Sequence, residues 1–451
     1  DETYIDKIIF AVDFGSSENI KELKWLYGDN YINLDDDLDN FLQDNNLEIE
    51  INKSEKILIY DSILNITKIL IFFLFIFCLI EFNLYKFIFS IFLPIVFLFV
   101  LKIINTELLN GFNIYTGGND GILYNSFGTK LFIYLKSFNL YEFFRGVESV
   151  FYFPSSIRYF LALNKFLFQD SSYGYIVIGY LLIFIFYFIF KNLFGIKYTI
   201  LFIVLFFFTR AFEGYAFSLY SLMQHINEAD AEPLAIFLFF CSFYIFIKNF
   251  DNKNYKLIDH FFIGFLVFLS VSVRPNYLPT GFLLILLHLY YSYLKYGNKN
   301  SLFTIFGFSF ILLIPLHNIY YGNSFVLLSS GAHHNTNAPL LIYFYAIRDL
   351  FNLNFTTENF QIIYTQINKW IQPKEIHYII SFSIILILLI FKNIKSKIKF
   401  VSLLAISQHA VLLIFEPANR YAYLAWMLTF ISLYYFIIIL FEQFYFRLRK
   451  K

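Results

Sequence analysis

Residues 173–190 read YGYIVIGYLLIFIFYFIF, eighteen positions without a charged side chain, closed by Lys191. The hydrocarbon core of a bilayer is about 30 Å thick and takes about 20 mostly apolar residues of helix to cross. Working outward from this stretch, runs of the same kind occur near 64–81, 84–104, 197–212, 233–249, 259–273, 279–295, 302–320, 376–392, 398–415 and 421–443. The sequence therefore predicts an all-α polytopic membrane protein with about 11 transmembrane helices. Several runs are short, as a tilted or re-entrant segment would be. Composition agrees: 59% of residues are hydrophobic and only 15% charged, which excludes an ordinary soluble globule. The 64 Phe and 36 Tyr suit lipid-facing surfaces and interfacial belts. Cys78 and Cys241 both lie in apolar runs and predict neither a disulfide nor a metal site. No nucleic-acid partner is expected.

Charge divides the chain and orients it. Residues 1–63 hold sixteen acids against five bases, while the remainder is basic. Lys191 and Lys197; Lys248, Lys253 and Lys256; Lys295 and Lys299; Lys392, Lys395, Lys397 and Lys399; and the tail from Arg447 to Lys451 all fall in alternate connections. The positive-inside bias puts these in the cytoplasm. The other connections, 105–172, 211–232, 274–278, 321–375 and 416–420, then lie outside, and by the same parity so does the acidic segment 1–63. Two domains follow: 1–63, a small α/β-like module, and 64–451, the transmembrane domain. In the first, 8–10 and 47–51 have strand-like composition, and Ser17 is placed to cap a helix over 18–26 that Gly28 would end. Asp35-Asp36-Asp37 reads as a solvated acidic loop. The chain opens at Asp1 rather than Met, as a processed protein or a fragment would.

Arginine is spent against the positive-inside bias. Of eight Arg, six lie on the outer side or its edge: Arg145, Arg158, Arg210, Arg274, Arg348 and Arg420. Planar multi-donor cations there suit a lipid phosphate or pyrophosphate, although headgroup anchoring or ion pairing would use them too. The first large outer loop, 105–172, opens with Tyr115-Thr116-Gly117-Gly118-Asn119-Asp120-Gly121, a turn whose glycines allow close backbone approach to a ligand. Asp120 would otherwise bond its own turn. Behind it come two amphipathic stretches, 140–151 and 156–168, separated by Pro154. Tyr159, Phe160, Leu163, Phe166 and Leu167 share an apolar face, the pattern of a helix lying in the interface.

The outer loop 211–232 ends Glu228-Ala229-Asp230-Ala231-Glu232-Pro233, three carboxylates within five residues at the start of a helix, where plain capping would also use them. His225 reads as a polar loop residue without a role. The second large outer loop, 321–375, carries His333 and His334 as acceptor candidates. Adjacent side chains diverge, so the pair is a poor metal site.

In order and on one side of the membrane, these elements resemble the GT-C superfamily of membrane glycosyltransferases. The similarity is to bacterial relatives of protein mannosyltransferases and of aminoarabinose and arabinofuranosyl transferases. It is carried by Gly117-Gly118-Asn119-Asp120-Gly121 and the interfacial helices, the cluster ending Glu232-Pro233-Leu234-Ala235, Arg274-Pro275-Asn276, His317-Asn318 with Tyr320-Tyr321-Gly322-Asn323, and Asn419-Arg420-Tyr421. It covers roughly 105–425. The acidic N-terminal segment, the run at 64–81 and the lack of a long soluble C-terminal domain depart from it.

The resemblance implies a polyprenyl-phosphate sugar donor and transfer to a glycan, lipid or protein hydroxyl at the outer face of a bacterial inner membrane, in cell-envelope chemistry. It places the catalytic acid at Asp120 and a second acidic motif at Glu228 and Asp230, with Glu232 as an alternative. In an inverting displacement Asp120 would take the acceptor proton, and Arg420, Arg274 and Arg210 would bind the leaving phosphate. Glu228 and Asp230 would hold sugar hydroxyls or a divalent cation, Mg or Mn. Arg158, His333 and His334 are acceptor or loop candidates. An O-antigen polymerase or ligase using a lipid pyrophosphate is a competing enzyme reading. A secondary transporter is a non-enzymatic one, opposed by the lack of an internal repeat and by polar residues gathered at one face rather than at mid-depth.

Overall fold

The computed structural model describes strand pieces at 5–7, 11–12, 24–27, 30–33, 47–48 and 52–53, and then 115, 118, 120–168, 172–207, 218–250, 255–295, 297, 299–330, 339–370, 376–414 and 419–449. The chain divides into units 1–113 and 114–451, each described by itself. The expected spans at 64–81 and 84–104 lie outside the described residues.

The first unit shows three antiparallel pairs: β1 (Ile5–Lys7) with β6 (Asn52–Lys53), β2 (Ala11–Val12) with β5 (Leu47–Glu48), and β3 (Lys24–Tyr27) with β4 (Asn30–Asn33). The last pair corrects the helix expected over 18–26. Trp25 is in register with Ile32 and Leu26 with Tyr31, and aromatic and branched residues at paired positions favour adjacent strands.

In the second unit the described residues are all helical in their regular structure. The segment 105–172, read from the sequence as the first large outer loop, holds α1 (Gly121–Lys136), α2 (Leu140–Arg145) and α3 (Ser155–Phe168) among its described residues. There follow α4 (Tyr173–Phe194), α5 (Ile196–Phe207), α6 (Leu219–Asn227), α7 (Glu232–Asn249), α8 (Leu257–Val273) and α9 (Leu278–Leu289), which runs on into a π-helical turn, Tyr290–Lys295. Next is α10 (Lys299–Gly322), a continuous rod of mixed α and 3-10 turns. The last are α11 (Pro339–Phe351), α12 (Thr357–Trp370), α13 (Ile376–Ile390), α14 (Ser396–Ile414) and α15 (Asn419–Arg449).

Among the described residues, four segments are long and apolar enough to cross a membrane: Gly174–Phe194, Glu232–Asn249, Lys299–Gly322 and Tyr421–Gln443. They mark a membrane-embedded protein. The expected count of 11 is not reached among the described residues. Leu257–Val273 and Ile379–Ile390 are apolar but shorter, α5 and α9 have 12 residues each, and α14 carries Gln408 and His409.

Aromatic contacts tie the bundle together. Phe186 meets Phe240 at 4.5 Å between α4 and α7, Phe190 meets Phe202 at 4.1 Å between α4 and α5, and Phe202 meets Tyr434 of α15 at 4.8 Å. Polar side chains buried between helices find partners across them, as they must away from water. Ser270 Oγ donates to the Ala235 carbonyl (2.8 Å), His260 pairs with His288 (2.8 Å), and His409 pairs with Thr429 (2.9 Å).

The outer loop only partly follows its predicted pattern. The stretch 140–151 is helical for six residues and stops at left-handed Gly146 (φ 68°). The helix α1 is additional to the two amphipathic stretches expected in this segment. Along α3, Leu163, Phe166 and Leu167 are exposed while Arg158, Asn164 and Lys165 are buried. The buried face of α3 thus mixes these polar residues with Ile157 and Leu161, and the exposed face is apolar.

Candidate functional site

The site is built where two acidic turns meet. At the first, Gly121 N–H donates to the Gly118 carbonyl (2.7 Å), closing the turn, and Asp120 occupies the position before the first residue of α1. The second follows α6, whose N-terminus is capped by Ser218 Oγ accepting from Ser221 N–H (3.2 Å). Beyond α6, Glu228 N–H bonds the Gln224 carbonyl (2.9 Å), Ala229 turns left-handed (φ 60°), and Asp230 N–H returns to the His225 carbonyl (2.9 Å). Pro233 then sits in the first turn of α7, where its missing N–H costs nothing.

The glycines of the first turn serve this junction. A Cβ on Gly118 would stand 2.8 Å from Glu228 Cγ and Cδ, and one on Gly121 would overlap the Glu228 carbonyl oxygen. The close approach read from the sequence as access for a ligand is thus made by the second acidic turn. Asp120 and Glu228 belong to one locus although 108 positions separate them.

Asp230 is fully buried. Its Oδ2 accepts from His225 Nδ1–H at 2.7 Å, and its carbonyl accepts from the Tyr175 hydroxyl. On the far side of the ring, His225 Nε2 lies 3.1 Å from the Tyr423 hydroxyl on α15. A carboxylate only accepts, so Nδ1 carries a proton, and in the neutral tautomer this selects, Nε2 accepts from the tyrosine. Glu228 Oε2 is 4.0 Å from the same Nδ1, and Glu228 Oε1 accepts from Gln224 Nε2 (2.9 Å). His225 is therefore a bonded helix residue, not the idle loop residue expected. Tyr175 and Tyr423 are not recognisable as site residues in the sequence because nothing local relates them to His225; only the packing of α6, α4 and α15 does.

Glu232 and Arg274 form a buried ion pair at the start of α7 and the end of α8. This redirects two expectations. Arg274, expected at a donor phosphate, has its charge met by a carboxylate, and Glu232, the alternative acid, is committed to it. A buried guanidinium needs such a partner. Arg274 also lies 5.3 Å from the Tyr421 ring centroid, and Asn276 Nδ2 donates to the Tyr421 carbonyl (3.5 Å). The Arg274-Pro275-Asn276 corner thus grips the first turn of α15.

Arg158, expected as an acceptor or loop candidate, is a packing residue. It is wholly buried, bonds Glu148 Oε2 (2.6 Å), the Gly146 carbonyl and the Phe153 carbonyl (3.1 Å), and sits over the rings of Phe127 (4.5 Å) and Phe151 (4.9 Å). Burial lowers its pKa from the ordinary arginine value, and the Glu148 carboxylate opposes that. The same loop is clamped onto α10: Asn318 Oδ1 accepts from Phe151 N–H (2.9 Å), Asn318 Nδ2 donates to the Val326 carbonyl (2.9 Å), and His317 stacks on Phe151 at 3.9 Å.

Arg420 lies in the first turn of α15, and its side chain is outside the described residues, as are Arg210, His333 and His334.

No protein-family model, curated protein or solved structure matches this chain. What the residues can do rests on their own chemistry. His225, Glu228 and Asp230 offer ligand atoms within 4.8 Å of one another. Asp230 Oδ1 is buried without a hydrogen-bond partner, as is Glu232 Oε2. The orphaned Asp230 oxygen, in a cluster with Glu228 and His225, suits a hydroxyl or a hard cation.

Proposed function

We propose that this protein is a GT-C-like glycosyltransferase that moves a sugar from a polyprenyl-phosphate donor to a glycan, lipid or protein hydroxyl at the outer face of the membrane. The observation that carries the reading is the docking of the Asp120 turn on the Glu228–Asp230 turn, beside the Arg274 corner and the start of α15. Four motifs distant in sequence thereby converge on one neighbourhood, and each bears the residue type that transfer needs. The full reading has about eleven spans, with the lysine-rich connections in the cytoplasm and these motifs outside, in a bacterial inner membrane.

In this reading the bond between the anomeric carbon and the phosphate oxygen breaks as the acceptor oxygen attacks. The electron pair leaves on the phosphate, and Asp120 takes the acceptor proton. Arg420 meets the charge on the leaving phosphate, with Arg210 as its neighbour candidate. Arg274 acts at one remove, holding Glu232 and Tyr421. Glu228 and Asp230 orient sugar hydroxyls, or hold Mg or Mn, which would supply positive charge next to the leaving group. The exposed apolar face of α3 offers the prenyl chain a surface, worth about 0.8 kcal/mol per buried CH₂.

The test is transfer by the purified protein in proteoliposomes, assayed against a panel of polyprenyl-phosphate sugars with membrane lipids, glycans and peptides as acceptors. Asp120→Asn is expected to lower turnover at least about a hundredfold, within the span that general base catalysis supplies. Full activity in that variant would remove Asp120 as the base.

A further inference from the structure

The acidic turn and the start of α15 are far apart in sequence, and His225 joins them. Its Nδ1 is bonded at 2.7 Å to Asp230, itself fully buried and held through its carbonyl by Tyr175. Its Nε2 is bonded at 3.1 Å to Tyr423, which is 6% exposed. Both ring nitrogens are thus engaged, each by a residue that packing already fixes. The carboxylate also selects one neutral tautomer, so the imidazole has a single way to satisfy both ends. On the opposite side Tyr421 is held by Asn276 and Arg274. The first turn of α15 is pinned from two directions, and Arg420 stands one residue before Tyr421 and three before Tyr423.

We propose that His225 is a positioning residue: a strut between Asp230 and Tyr423 that sets the separation between the acidic turn and the helix end bearing Arg420. The inference rests on the sugar-transfer reading for its consequence, because the sugar–phosphate bond would lie across that separation. It does not rest on it for the strut itself. A misplacement of about 1 Å at a reacting centre costs on the order of a hundredfold in rate. The cost of losing the strut falls on kcat rather than on KM, because the groups remain and only their spacing changes.

The experiment measures spacing and ligand binding separately. Spin labels are placed at Gln224→Cys beside His225 and at Phe441→Cys on α15, both exposed, in a background with Cys78→Ser and Cys241→Ser. The distance distribution is expected to be narrow in that background. It should broaden to a similar extent with His225→Ala, His225→Asn and Tyr423→Phe, and no further in the His225→Ala/Tyr423→Phe double variant. His225→Asn keeps the donor to Asp230 and loses the reach to Tyr423, so its failure to rescue locates the effect in the second bond. An unchanged distribution in His225→Ala, or additive broadening in the double variant, would overturn the strut. So would loss of bound manganese in His225→Ala but not in Tyr423→Phe, which makes the histidine a ligand. Binding of undecaprenyl phosphate to the protein in nanodiscs is the second arm. Its absence in the unsubstituted protein removes the sugar-transfer reading, while broadened distances still uphold the strut.

Discussion

The backbone carbonyl of Glu228 lies directly against the α-carbon of Gly121, so that the turn carrying Asp120 and the turn carrying Asp230 are in contact through a residue with no side chain. A methyl group at 121 would overlap that oxygen, and neither backbone can yield without moving a turn. A methyl group at 118 meets first the Glu228 side chain, whose far end can swing aside. Gly121→Ala is therefore expected to cost about 1–3 kcal/mol of stability, as overpacking does, and to lower activity with it. Gly118→Ala is expected to leave the melting temperature within a few degrees and to change turnover by displacing Glu228. Thermal unfolding and transfer rates measured on both variants check the contrast; equal melting losses would contradict the contact.

That junction was only half legible in the sequence. Apolar runs announced the helical cores of α4, α7, α10 and α15, because about 20 apolar residues in a row have few other uses. The acidic clusters and the Gly-rich turn were visible as local patterns. The partner of the glycines was not: Gly121 and Glu228 are related only by how α1 packs beside the end of α6. For the same reason His225 looked idle, since its second partner, Tyr423, is 198 positions away. The helix α1, GILYNSFGTKLFIYLK, mixes apolar and polar residues without a wide stripe, which hid it from a periodicity argument. Lys24–Tyr27 departs in the opposite sense: Ser17 and Gly28 read as the two ends of a helix, whereas Lys24–Tyr27 pairs as a strand with Asn30–Asn33.

Arg158 tests whether an outer arginine serves structure or substrate. Its guanidinium is buried against Glu148, with two backbone carbonyls taking further N–H groups. Removing one partner of a buried pair costs about 3–5 kcal/mol. Arg158→Ala is expected to lose stability on that scale, and Arg158→Lys to recover little, since one ammonium cannot reproduce the planar fork. Replacing both partners, Arg158→Met with Glu148→Gln, should be milder than Arg158→Ala alone. Unfolding in detergent against temperature measures all three. A stable Arg158→Ala with a raised acceptor KM would return the residue to the acceptor site.

Glu232 and Arg274 make the corresponding prediction at the site itself. Both are nearly buried, and the pair ties α7 to α8. Glu232→Gln leaves the guanidinium without its counter-charge, and Arg274→Gln leaves the carboxylate without its own. Each single change is expected to destabilise by about 3–5 kcal/mol, and the double change by less than the sum. If Arg274 instead bound donor phosphate directly, Glu232→Gln would tighten binding of undecaprenyl phosphate by releasing the cation. The double-mutant cycle read by thermal unfolding, set beside lipid-phosphate binding, separates the two.

Asn318 shows how the segment around Phe151 is held on α10. One side-chain amide satisfies the Phe151 N–H and the Val326 carbonyl together, at a fully buried position on α10. The Phe151 N–H is buried and the Val326 carbonyl partly so, and losing the amide leaves a donor and an acceptor without these bonds. The cost of such a buried group is about 1–3 kcal/mol. Asn318→Ala is expected to lose at least one such increment and to free the segment 146–153, including the Arg158 partners Gly146 and Glu148. Asn318→Asp keeps the acceptor for Phe151 but has no donor for Val326, so it should fall between the two. Limited proteolysis reports the freed segment as faster cleavage within 146–153, ordered Asn318→Ala over Asn318→Asp over unsubstituted protein. Because His317 still stacks on Phe151 in both variants, cleavage at the unsubstituted rate in Asn318→Ala would assign the clamp to that ring contact rather than to the amide.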